Sequence, residues 1–414
     1  MKTSPFALST RFRGRKVHLG VCGSVACYRA PDLLRQWKTM DIHVSATLTA
    51  GARRFVAPLL FESLGAMPVY GDMFAAGQDV FAHLEPGQTA DCMVVAPASA
   101  DALSRLAHGS TADMLAAQAL AFDGPLVLAP AMNPRMWAHA ATQANVATLV
   151  GRGARVVTPA SGTTACGDSG TGRLAPLADI FHAVLACLAP QDMAGRKVMV
   201  TLGPTREQWD GVRYWSTPSR GRMGAALATC ASLRGAAVTA VCGPGVSLSL
   251  PAGIQCVHVV SAAEMFAAAN DFWPQMDMGM FTAAVADFAP IPPEGGNDRK
   301  FKKADAPDGF AVQFSPNPDI LGSLPRRENQ KILAFAAETT ADMQELLPLA
   351  HAKRARKGAH VLAANRVNTR ESGFGTDTNS VAVVDATGRE AIWPSQSKAD
   401  VAWDLCSRLL EIGE

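Results

Sequence analysis

Short apolar runs alternate with longer helix-like stretches along almost the whole chain, and this alternation restricts the fold more than any other feature. Strands that are apolar on both faces and separated by helices predict a parallel sheet covered by helices on both sides. Right-handed crossovers place the ligand crevice of such a sheet beyond the carboxyl ends of its strands. In the first half, strands are predicted at Val17–Val21, His43–Leu48, Cys92–Ala96, Leu126–Ala129 and Arg155–Thr158, and helices at Pro31–Met40, Ala102–Leu106 and Met114–Ala121.

A second cycle of the same kind follows the first. The stretch Leu188–Gly195, rich in Pro, Gly and polar residues, separates the two cycles and predicts a linker. We therefore expect two doubly wound α/β domains, Rossmann-like or flavodoxin-like with mainly parallel sheets, over residues 1–190 and 191–414. Strands of the second domain are predicted at Lys197–Leu202, Ala237–Cys242, Gly279–Ala283, Ile332–Ala336 and His360–Ala363.

Composition excludes several classes of protein. Hydrophobic residues make up 48% of the 414 residues and charged residues 18%, which argues against a disordered chain. The net charge of +2 argues against coating of nucleic acid or an anionic membrane. No apolar run approaches the ~18–20 residues of a membrane span, and no secretion signal is recognisable. The nine cysteines form no C-x-x-C pair, so we expect reduced thiols in a soluble, cytoplasmic protein.

Three strand ends of the first half offer small or hydroxylated residues. The loop Gly20–Tyr28 contains Ser24 but lacks the G-x-G-x-x-G dinucleotide fingerprint, and an ordinary strand-to-helix turn is an equal alternative there. Thr49 ends the second strand, and Ala96–Asp101 ends the third. Together these strand ends favour a crevice for one phosphate and one flat ring.

Three further residues are candidates for chemistry. Asn133 precedes a proline, where an asparagine is usually a turn residue. Cys166 lies in the sequence Ala165–Arg173, predicted as a loop, in which three glycines accompany the thiol. A structural cysteine needs no such setting, but a lone cysteine is still more often structural. His83 taken alone is more often a surface or capping histidine than a base.

The set of motifs resembles the flavin-dependent phosphopantothenoylcysteine decarboxylases of coenzyme A biosynthesis. The matching runs are GSVACY, the His83 segment, APASAD, PAMN and ACGDSGTGR, in the order and spacing of that family. The resemblance implies that His83 is the catalytic base, Asn133 holds the substrate carboxylate and Cys166 donates a proton. It also implies contacts to FMN from Ser24, Thr49, Phe55, Ala98, Ser99, Ala100 and Asp101.

The chemistry of such a decarboxylation agrees with these residue types. Direct loss of carbon dioxide would leave a carbanion with no electron sink. Oxidation of the thiol-bearing carbon by a flavin supplies that sink, and an acid must afterwards return a proton. A thiol with an unperturbed pKa of ~8.5 is mostly protonated at neutral pH, as a proton donor requires.

The second half contains loops rich in small and basic residues. Residues Gly203–Arg213 follow a strand, and Thr217–Gly224 leads into a helix, Ala225–Leu233. A phosphate site and a solvated basic turn are equally good interpretations of these loops. Lys353 and Lys357 are four residues apart on one helical face and can bind the same polyanion. Clusters of charged residues like this one more often form a solvent-exposed helix face. No Walker A sequence is present, which disfavours a P-loop enzyme.

This set resembles the phosphopantothenate–cysteine ligase half of bacterial bifunctional enzymes. The resemblance implies that CTP activates the carboxylate of 4′-phosphopantothenate as an acyl-cytidylate, which the cysteine amine then attacks. Lysines and Mg²⁺ would offset the triphosphate charge, Lys300 would be catalytic, and the metal ligands are not implied. Contacts to CTP are implied for Phe281, Thr282, Ala283, Asp287, Lys300, Pro318, Asp319, Ile320, Leu321, Phe335, Lys353 and Lys357.

One stretch departs from the ligase pattern. Thr217 stands where the family has an asparagine that acts on the acyl-cytidylate, and Pro218 removes a backbone N–H. An active decarboxylase with a degenerate, nucleotide-binding or structural second domain is therefore an alternative to the bifunctional enzyme. A nicotinamide oxidoreductase is disfavoured because the glycine fingerprint is missing. The resemblance also implies a homo-oligomer built on decarboxylase trimers, with small-molecule substrates and neither nucleic-acid nor membrane partners.

Overall fold

The computed structural model describes residues 4, 6–75, 79–246, 250–293, 296, 298–302, 304, 308–367 and 375–413. Contacts divide the chain into two compact units, Thr10–Pro190 and Gln191–Glu414, and the second unit includes Met1–Ser9. Ser9 Oγ donates to Asp400 Oδ1 over 2.9 Å, which ties the chain before Thr10 to the second unit. The sequence prediction had grouped those first residues with the first domain. None of the helices described is long and apolar enough to cross a membrane.

The first unit is built on a six-stranded parallel sheet. Its strands are β1 (Lys16–Val21), β2 (His43–Leu48), β3 (Val69–Tyr70), β4 (Cys92–Ala98), β5 (Leu126–Pro130) and β6 (Arg155–Val156), and β7 (Ala160–Thr163) and β8 (Ser169–Arg173) form a separate antiparallel hairpin. Its helices are α1 (Ala30–Lys38), α2 (Pro58–Ser63), α3 (Glu85–Thr89), α4 (Ala100–His108), α5 (Met114–Leu120), α6 (Pro134–Ala138), α7 (Ala140–Gly151) and α8 (Leu177–Leu188). The strand order β3-β2-β1-β4-β5-β6 is that of a doubly wound Rossmann-like sheet, so the predicted fold class is confirmed.

Local sequence signals explain where the helices of this unit begin. Ser99 precedes α4, and its Oγ accepts a hydrogen bond from the N–H of Ala102 over 3.2 Å. Asp113 precedes α5, and its Oδ1 accepts from the N–H of Ala116 over 2.9 Å. Such caps satisfy backbone donors that a helix leaves unpaired in its first turn. Both helices consequently begin at defined residues close to the carboxyl edge of the sheet.

Two details of the first unit differ from the prediction. β4 continues to Ala98, beyond the predicted end at Ala96, and its pairing with β5 shifts register between Val95 and Ala98. Proline usually ends regular strand pairing, and the sequence prediction therefore ended β4 at Ala96, directly before Pro97. The predicted loop Ala165–Arg173 is wrong in its second half, because Ser169–Arg173 pairs with Ala160–Thr163. The hairpin was not predicted because its strands contain Gly162, Gly170 and Gly172, and glycine is depleted in strands.

The second unit repeats the arrangement on a longer sheet. Its strands are β9 (Lys197–Leu202), β10 (Arg206–Gln208), β11 (Tyr214–Ser216), β12 (Ala237–Cys242), β13 (Gln255–His258), β14 (Met278–Phe281), β15 (Phe288–Pro290), β16 (Phe314–Pro316), β17 (Lys331–Glu338), β18 (Val361–Arg366), β19 (Thr378–Asp385) and β20 (Glu390–Ser397). Its helices are α9 (Arg222–Leu233), α10 (Ala262–Phe272), α11 (Ile320–Ser323), α12 (Leu346–Lys357) and α13 (Lys398–Leu410). The main sheet has the order β13-β12-β9-β14-β17-β18-β19-β20, in which β19 runs antiparallel to both of its neighbours, β18 and β20.

A buried arginine joins the start of the second unit to its last helix. The guanidinium of Arg234 donates to both oxygens of Asp192, over 2.8 and 2.6 Å, and to the carbonyl of Trp403 and the hydroxyl of Ser407. The Arg234 side chain is 3% exposed and that of Asp192 is 41% exposed. A bidentate ion pair of this kind holds the guanidinium in one orientation. Asp192, which lies inside the predicted linker Leu188–Gly195, is thereby joined to α13.

We expect the substitution Asp192→Ala to destabilise the second unit. It leaves the charge of Arg234 buried without its anion, and the cost should be about 2 kcal/mol, below the ~3–5 kcal/mol of a fully buried pair because Asp192 is half exposed. Thermal unfolding of the full chain, followed by calorimetry, measures the shift. Glu411→Gln is the matched control, since its ion pair with Arg389 is exposed on both sides and should contribute less than ~1 kcal/mol. Equal melting temperatures for the two variants would contradict the assignment.

Candidate functional site

A cavity of about 770 Å³ opens at the carboxyl ends of β1, β4 and β5. Because β1 and β4 are the neighbours at which the strand order reverses, the cavity occupies the position where doubly wound sheets bind ligands. Its lining includes five of the predicted site residues, namely Ser24, Ser99, Ala100, Asn133 and Cys166. Five others, Thr49, Phe55, Ala98, Asp101 and His83, are absent from that lining.

The loops after β1 and β2 approach each other through two glycines. A Cβ at Gly23 would lie 2.9 Å from backbone atoms of Gly51, so neither loop can carry a side chain at that contact. In the first loop, Ser24 Oγ accepts from the N–H of Ala26 over 3.4 Å. In the second, Thr49 Oγ1 accepts from the N–H of Ala52 over 3.2 Å. The hydroxyl of Thr49 therefore stabilises its own loop.

The three remaining FMN candidates outside the lining have different surroundings. Phe55 is an exposed aromatic side chain, 59% accessible. Ala98 is fully buried at the end of β4. Asp101 forms an exposed ion pair with Arg105, with 3.1 Å between the nitrogen and oxygen. Their proposed contacts with a flavin remain predictions.

The hairpin β7–β8 brings Cys166 to Asn133. Gly172 of the hairpin packs so closely on the loop after β5 that a Cβ there would lie 2.4 Å from the carbonyl oxygen of Met132. The N–H of Met132 donates to the carbonyl of Gly172 over 2.8 Å, which completes the contact. Asn133 Nδ2 then lies 3.3 Å from the sulfur of Cys166 and donates to Asp168 Oδ2 over 2.7 Å. Residues 33 positions apart in sequence thus form one polar cluster.

Hydrogen bonds lower the pKa of the Cys166 thiol below its ordinary value. The largest contribution is that of the Thr164 hydroxyl, 3.2 Å from the sulfur, followed by the backbone N–H of Asp168 and the side chain of Asn133. Donors that point at sulfur stabilise the thiolate. The expectation of an unperturbed thiol was therefore wrong. An exposed thiol with a stabilised conjugate base can release a proton and remain an anion in place.

His83 lies two residues before α3 and is half-buried. The preceding residue, Ala82, is 1% exposed, and its carbonyl accepts a hydrogen bond from Gln118 Nε2 over 3.0 Å. Two residues after His83, Glu85 Oε2 accepts from the hydroxyl of Tyr70 over 2.5 Å. The backbone around His83 is consequently held on both sides. The sequence prediction did not identify Gln118 or Tyr70, since neither belongs to a recognisable motif.

A second cavity, of about 520 Å³, opens beside the carboxyl ends of β14 and β17 in the second unit. Ten of the twelve residues predicted to contact a nucleotide line it, namely Phe281, Ala283, Asp287, Pro318, Asp319, Ile320, Leu321, Phe335, Lys353 and Lys357. Thr282 and Lys300 do not. Arg356 and Asn317 also line this cavity and were not on the predicted list.

The second cavity has a strongly basic wall supplied by α12. Lys353 pairs with Glu338 over 3.2 Å, and Lys357 pairs with Asp319 over 2.5 Å. Burial acts to raise the pKa of Asp319, but the hydrogen bond and charge of Lys357 outweigh it and hold that pKa below its usual value. With Arg356, three cations face a single cavity. Such a wall suits a polyanion.

A smaller cavity of about 120 Å³ lies at the start of α9 and shares Ala283 and Phe335 with the lining of the second cavity. Thr282 lines this smaller cavity. A Cβ at Gly224 would lie 2.4 Å from the side chains of both Leu202 and Thr282, so the helix can pack this tightly only with glycine. The unpaired N–H groups of a helix start attract anions. Thr217 and Pro218 line neither cavity of the second unit.

Lys300 is exposed and lies on a segment anchored by Asp210. The N–H of Phe301 donates to Asp210 Oδ2 over 3.1 Å, and the N–H of Gly211 donates to the carbonyl of Arg299 over 3.1 Å. The Asp210 side chain is fully buried and also accepts from the backbone N–H of Arg213 over 2.6 Å. The residues on either side of Lys300 are therefore fixed to the loop after β10.

Metal ligands are not evident from clustering of side chains. Within the ranges that the structure describes, no group of three or more His, Cys, Asp or Glu side chains is arranged to hold a metal ion. The carboxylates in the lining of the second cavity are those of Asp287 and Asp319.

Comparison with known proteins agrees with this geometry over nearly the whole chain. The family model described as "Flavoprotein" matches residues 6–189, and the model described as "DNA/pantothenate metabolism flavoprotein C-terminal domain" matches residues 193–412. These two matches cover the two units separately.

Full-length relatives agree with the family models. A coenzyme A biosynthesis bifunctional protein CoaBC from Mycobacterium bovis is 38% identical over 404 residues, 94% of each chain. The protein of that name from Escherichia coli K12 is 37% identical, covering 89% of this chain and 90% of the relative. The Bacillus subtilis protein is 36% identical over 97% of this chain and 98% of the relative. The chain therefore belongs to the CoaBC family of bifunctional coenzyme A biosynthesis enzymes, in which a flavoprotein decarboxylase domain precedes a phosphopantothenate–cysteine ligase domain.

Proposed function

We propose that the second unit joins cysteine to 4′-phosphopantothenate at the expense of CTP, and that the first unit decarboxylates the product to 4′-phosphopantetheine. The observation that carries the proposal is the cluster in the first cavity, where Asn133 Nδ2 lies 3.3 Å from the Cys166 sulfur. A carboxylate-binding amide and a proton-donating thiol are the groups that this decarboxylation needs. The alternative of a degenerate second unit finds no support in the comparisons.

FMN is the cofactor that the first cavity would hold. The cavity volume of about 770 Å³ lies within the ~300–1,000 Å³ range of small-molecule sites. Ser24 and Ser99 each lie at a helix start and can donate to a phosphate, and the small side chain of Ala100 leaves room for a flat ring. When bound, the flavin would supply the reversible oxidation of the substrate that makes loss of carbon dioxide feasible.

The chain's own residues would place the substrate and move protons. Asn133 Nδ2, which donates to Asp168 in this structure, would donate to the substrate carboxylate. Cys166 would protonate the enethiolate carbon left after carbon dioxide departs, and Thr164 and the backbone N–H of Asp168 would hold the resulting thiolate. His83 would serve as the base that takes a proton from the substrate thiol.

The exposed apolar residues of the first unit support a homo-oligomer, which we propose is built on trimers. His83 does not line the cavity of its own chain, and its neighbours Val80 and Phe81 are 80% and 64% exposed. Tyr28 on the rim of the cavity is 64% exposed. Large exposed apolar side chains of this kind mark interaction surfaces. Sedimentation equilibrium that gave a monomer would contradict this part of the proposal.

In the second unit, CTP would occupy the larger cavity. Lys353, Arg356 and Lys357 would offset the charge of the triphosphate. Mg²⁺ usually enters such sites on substrate phosphates with one or two carboxylates, which Asp287 and Asp319 can provide. The smaller cavity at the start of α9 would accept a second anionic group. Thr217 and Pro218 lie outside both linings, which supports an active ligase despite their departure from the pattern.

We expect Cys166→Ser to stop decarboxylation at the protonation step. A serine hydroxyl is a far weaker acid than a thiol, so 4′-phosphopantetheine formation should fall by a factor of ~100 or more. The decarboxylated, oxidised enethiol should accumulate instead, and mass spectrometry of reactions supplied with 4′-phosphopantothenoylcysteine detects it. Cys256→Ser, which alters another exposed thiol, is the matched control and should retain both activities. Normal product formation by Cys166→Ser would refute the proton-donor role.

We expect Thr164→Val to raise the pKa of Cys166. Loss of the hydroxyl donor destabilises the thiolate, so the thiolate forms only at higher pH than in the wild type. The rate of iodoacetamide alkylation of the peptide containing Cys166, measured against pH by mass spectrometry, reports the midpoint. Thr163→Val is the matched control, because Thr163 Oγ1 bonds to Ser169 Oγ and not to the sulfur. Identical midpoints for all three proteins would show that Thr164 does not tune the thiol.

We expect Lys300→Gln to abolish formation of the acyl-cytidylate while the first unit stays active. The neutral amide cannot offset charge on the reacting phosphate. Pyrophosphate release in the presence of CTP, Mg²⁺ and 4′-phosphopantothenate measures the first half-reaction. Lys302→Gln makes the same charge change two residues away and serves as the control. A normal pyrophosphate burst from Lys300→Gln would remove this lysine from the catalytic residues.

A further inference from the structure

Buried polar side chains form a continuous row through the apolar interior of the first unit. His18 on β1, Thr47 on β2 and Gln118 on α5 all have 0% exposure. His18 Nε2 lies 3.0 Å from Thr47 Oγ1, and Thr47 Oγ1 lies 2.6 Å from Gln118 Oε1. The row begins at the half-buried Ser45, whose Oγ is 2.8 Å from His18 Nδ1. It ends at the carbonyl of Ala82, which accepts from Gln118 Nε2 over 3.0 Å.

The close packing of α5 on the sheet makes this row possible. A Cβ at Gly20 would lie 2.5 Å from Leu115 Cδ1, so only glycine lets the helix approach β1 at that point. Gln118 is three residues after Leu115 and shares its helical face. Gly20 is paired with Thr47 across the two strands, and His18 is two residues before Gly20 on the same face of β1. The three polar side chains are therefore held between sheet and helix.

The chemistry of the partners determines the direction of every hydrogen bond. A backbone carbonyl only accepts, so the amide nitrogen of Gln118 must face Ala82 and its oxygen must face Thr47. The single proton of the Thr47 hydroxyl then goes to Gln118, which requires His18 to donate from Nε2. His18 Nδ1 consequently accepts from Ser45. Each member fixes the orientation of the next, up to the residue before His83.

Burying these polar side chains destabilises the folded protein unless each of them has its hydrogen-bond partner. Desolvation lowers the pKa of His18 to about 3, so the imidazole is neutral throughout the physiological range. A buried amide or hydroxyl without its partner costs ~1–3 kcal/mol. Apolar side chains could fill this part of the core equally well. The polar row is therefore better explained by a role in orienting neighbouring groups than by a role in packing.

His83 lies where the row ends. Its neighbour Ala82 is held by Gln118, and the N–H groups of Leu84 and Glu85 both donate to the carbonyl of Phe81, over 2.8 and 3.1 Å. Glu85 is held in turn by Tyr70, whose ring centroid is 5.9 Å from that of His18. The turn that carries His83 is therefore anchored to the core next to both of its ends.

We propose that Gln118 is a positioning residue for the decarboxylase reaction, which holds the carbonyl of Ala82 and so sets the place of His83. The inference rests on the proposed function, in which His83 is the base. His18 and Thr47 act through Gln118 by fixing the orientation of its amide. Misplacement of a reacting group by about 1 Å can lower a rate by ~100-fold, so the anchor need move only slightly to matter.

The substitution Gln118→Leu removes the hydrogen bond to Ala82 while keeping a side chain of similar size. We expect kcat for decarboxylation of supplied 4′-phosphopantothenoylcysteine to fall about tenfold or more. KM should change less than threefold, because Ser24, Asn133 and Cys166 are carried by other loops. The ligase rate of the same sample should be unchanged. Val127→Ala, at a fully buried position on β5, is the control for a general loss of stability and should keep kcat within threefold.

Two measurements that do not depend on catalysis test the geometry. In Gln118→Leu, hydrogen exchange at the amides of Leu84 and Glu85 should accelerate at least tenfold, while peptides of the β7–β8 hairpin stay unchanged. Modification of His83 by diethyl pyrocarbonate should also accelerate, with the exposed His139 as the internal reference. Thr47→Val is a milder variant. It removes the hydrogen bond to Gln118 Oε1 but leaves Gln118 Nε2 able to donate to the carbonyl of Ala82, so it should show both effects to a smaller extent. It serves as the test if Gln118→Leu fails to fold.

Each outcome decides a different point. Unchanged exchange at residues 84 and 85 in both variants would overturn the positioning role. Equal losses of kcat in Gln118→Leu and Val127→Ala would also overturn it, because the effect would then follow stability alone. His83→Asn tests the function on which the inference rests. If that variant released carbon dioxide normally while exchange in Gln118→Leu was faster, the anchor would exist but the proposed base would be wrong.

Discussion

Both sites depend on the reversal of strand order between two neighbouring parallel strands. In the first unit the reversal lies between β1 and β4, and in the second between β9 and β14. Crossover helices leave the two strands in opposite directions at that point, which opens a crevice at their carboxyl ends. The loops that carry Ser24 and Ser99 follow β1 and β4, and Thr282 and Ala283 follow β14. The same backbone geometry therefore opens a crevice at the carboxyl edge of the sheet twice in one chain.

Close backbone packing then positions the residues around each crevice. In the first unit, Gly172 allows the β7–β8 hairpin to lie against the loop after β5, and Cys166 reaches Asn133 for that reason. In the second unit, Gly224 allows α9 to begin directly against Leu202 and Thr282. A single methyl group at either glycine would collide with its neighbours. Glycine is thus required at these contacts for space rather than for turn formation.

Titratable side chains of the first unit have different environments and different properties. The Cys166 thiol is exposed and surrounded by donors, and its pKa is lowered. Cys22 is fully buried, and desolvation raises its pKa to about 12. The thiolate form of the same side chain is thus stabilised in one place and destabilised in the other, and its surroundings make the difference. His18 shows the corresponding effect for a base, since burial keeps it neutral and restricts it to hydrogen bonding.

The class of fold and most of the parallel strands could be predicted from the sequence, and ten of the twelve residues predicted to contact a nucleotide line the second cavity. Apolar periodicity is a local property, and the predicted residues Pro318–Leu321, Lys353 and Lys357 lie in two short continuous runs of chain. Contacts between residues far apart in sequence became evident only from the three-dimensional structure. The contact of Asn133 with Cys166, the anchoring of the Lys300 segment by Asp210, and the row from His18 to Ala82 join residues 29 to 91 positions apart. Such contacts depend on packing distances between elements, because a few tenths of an ångström decide whether a hydrogen bond forms and sequence patterns do not encode them.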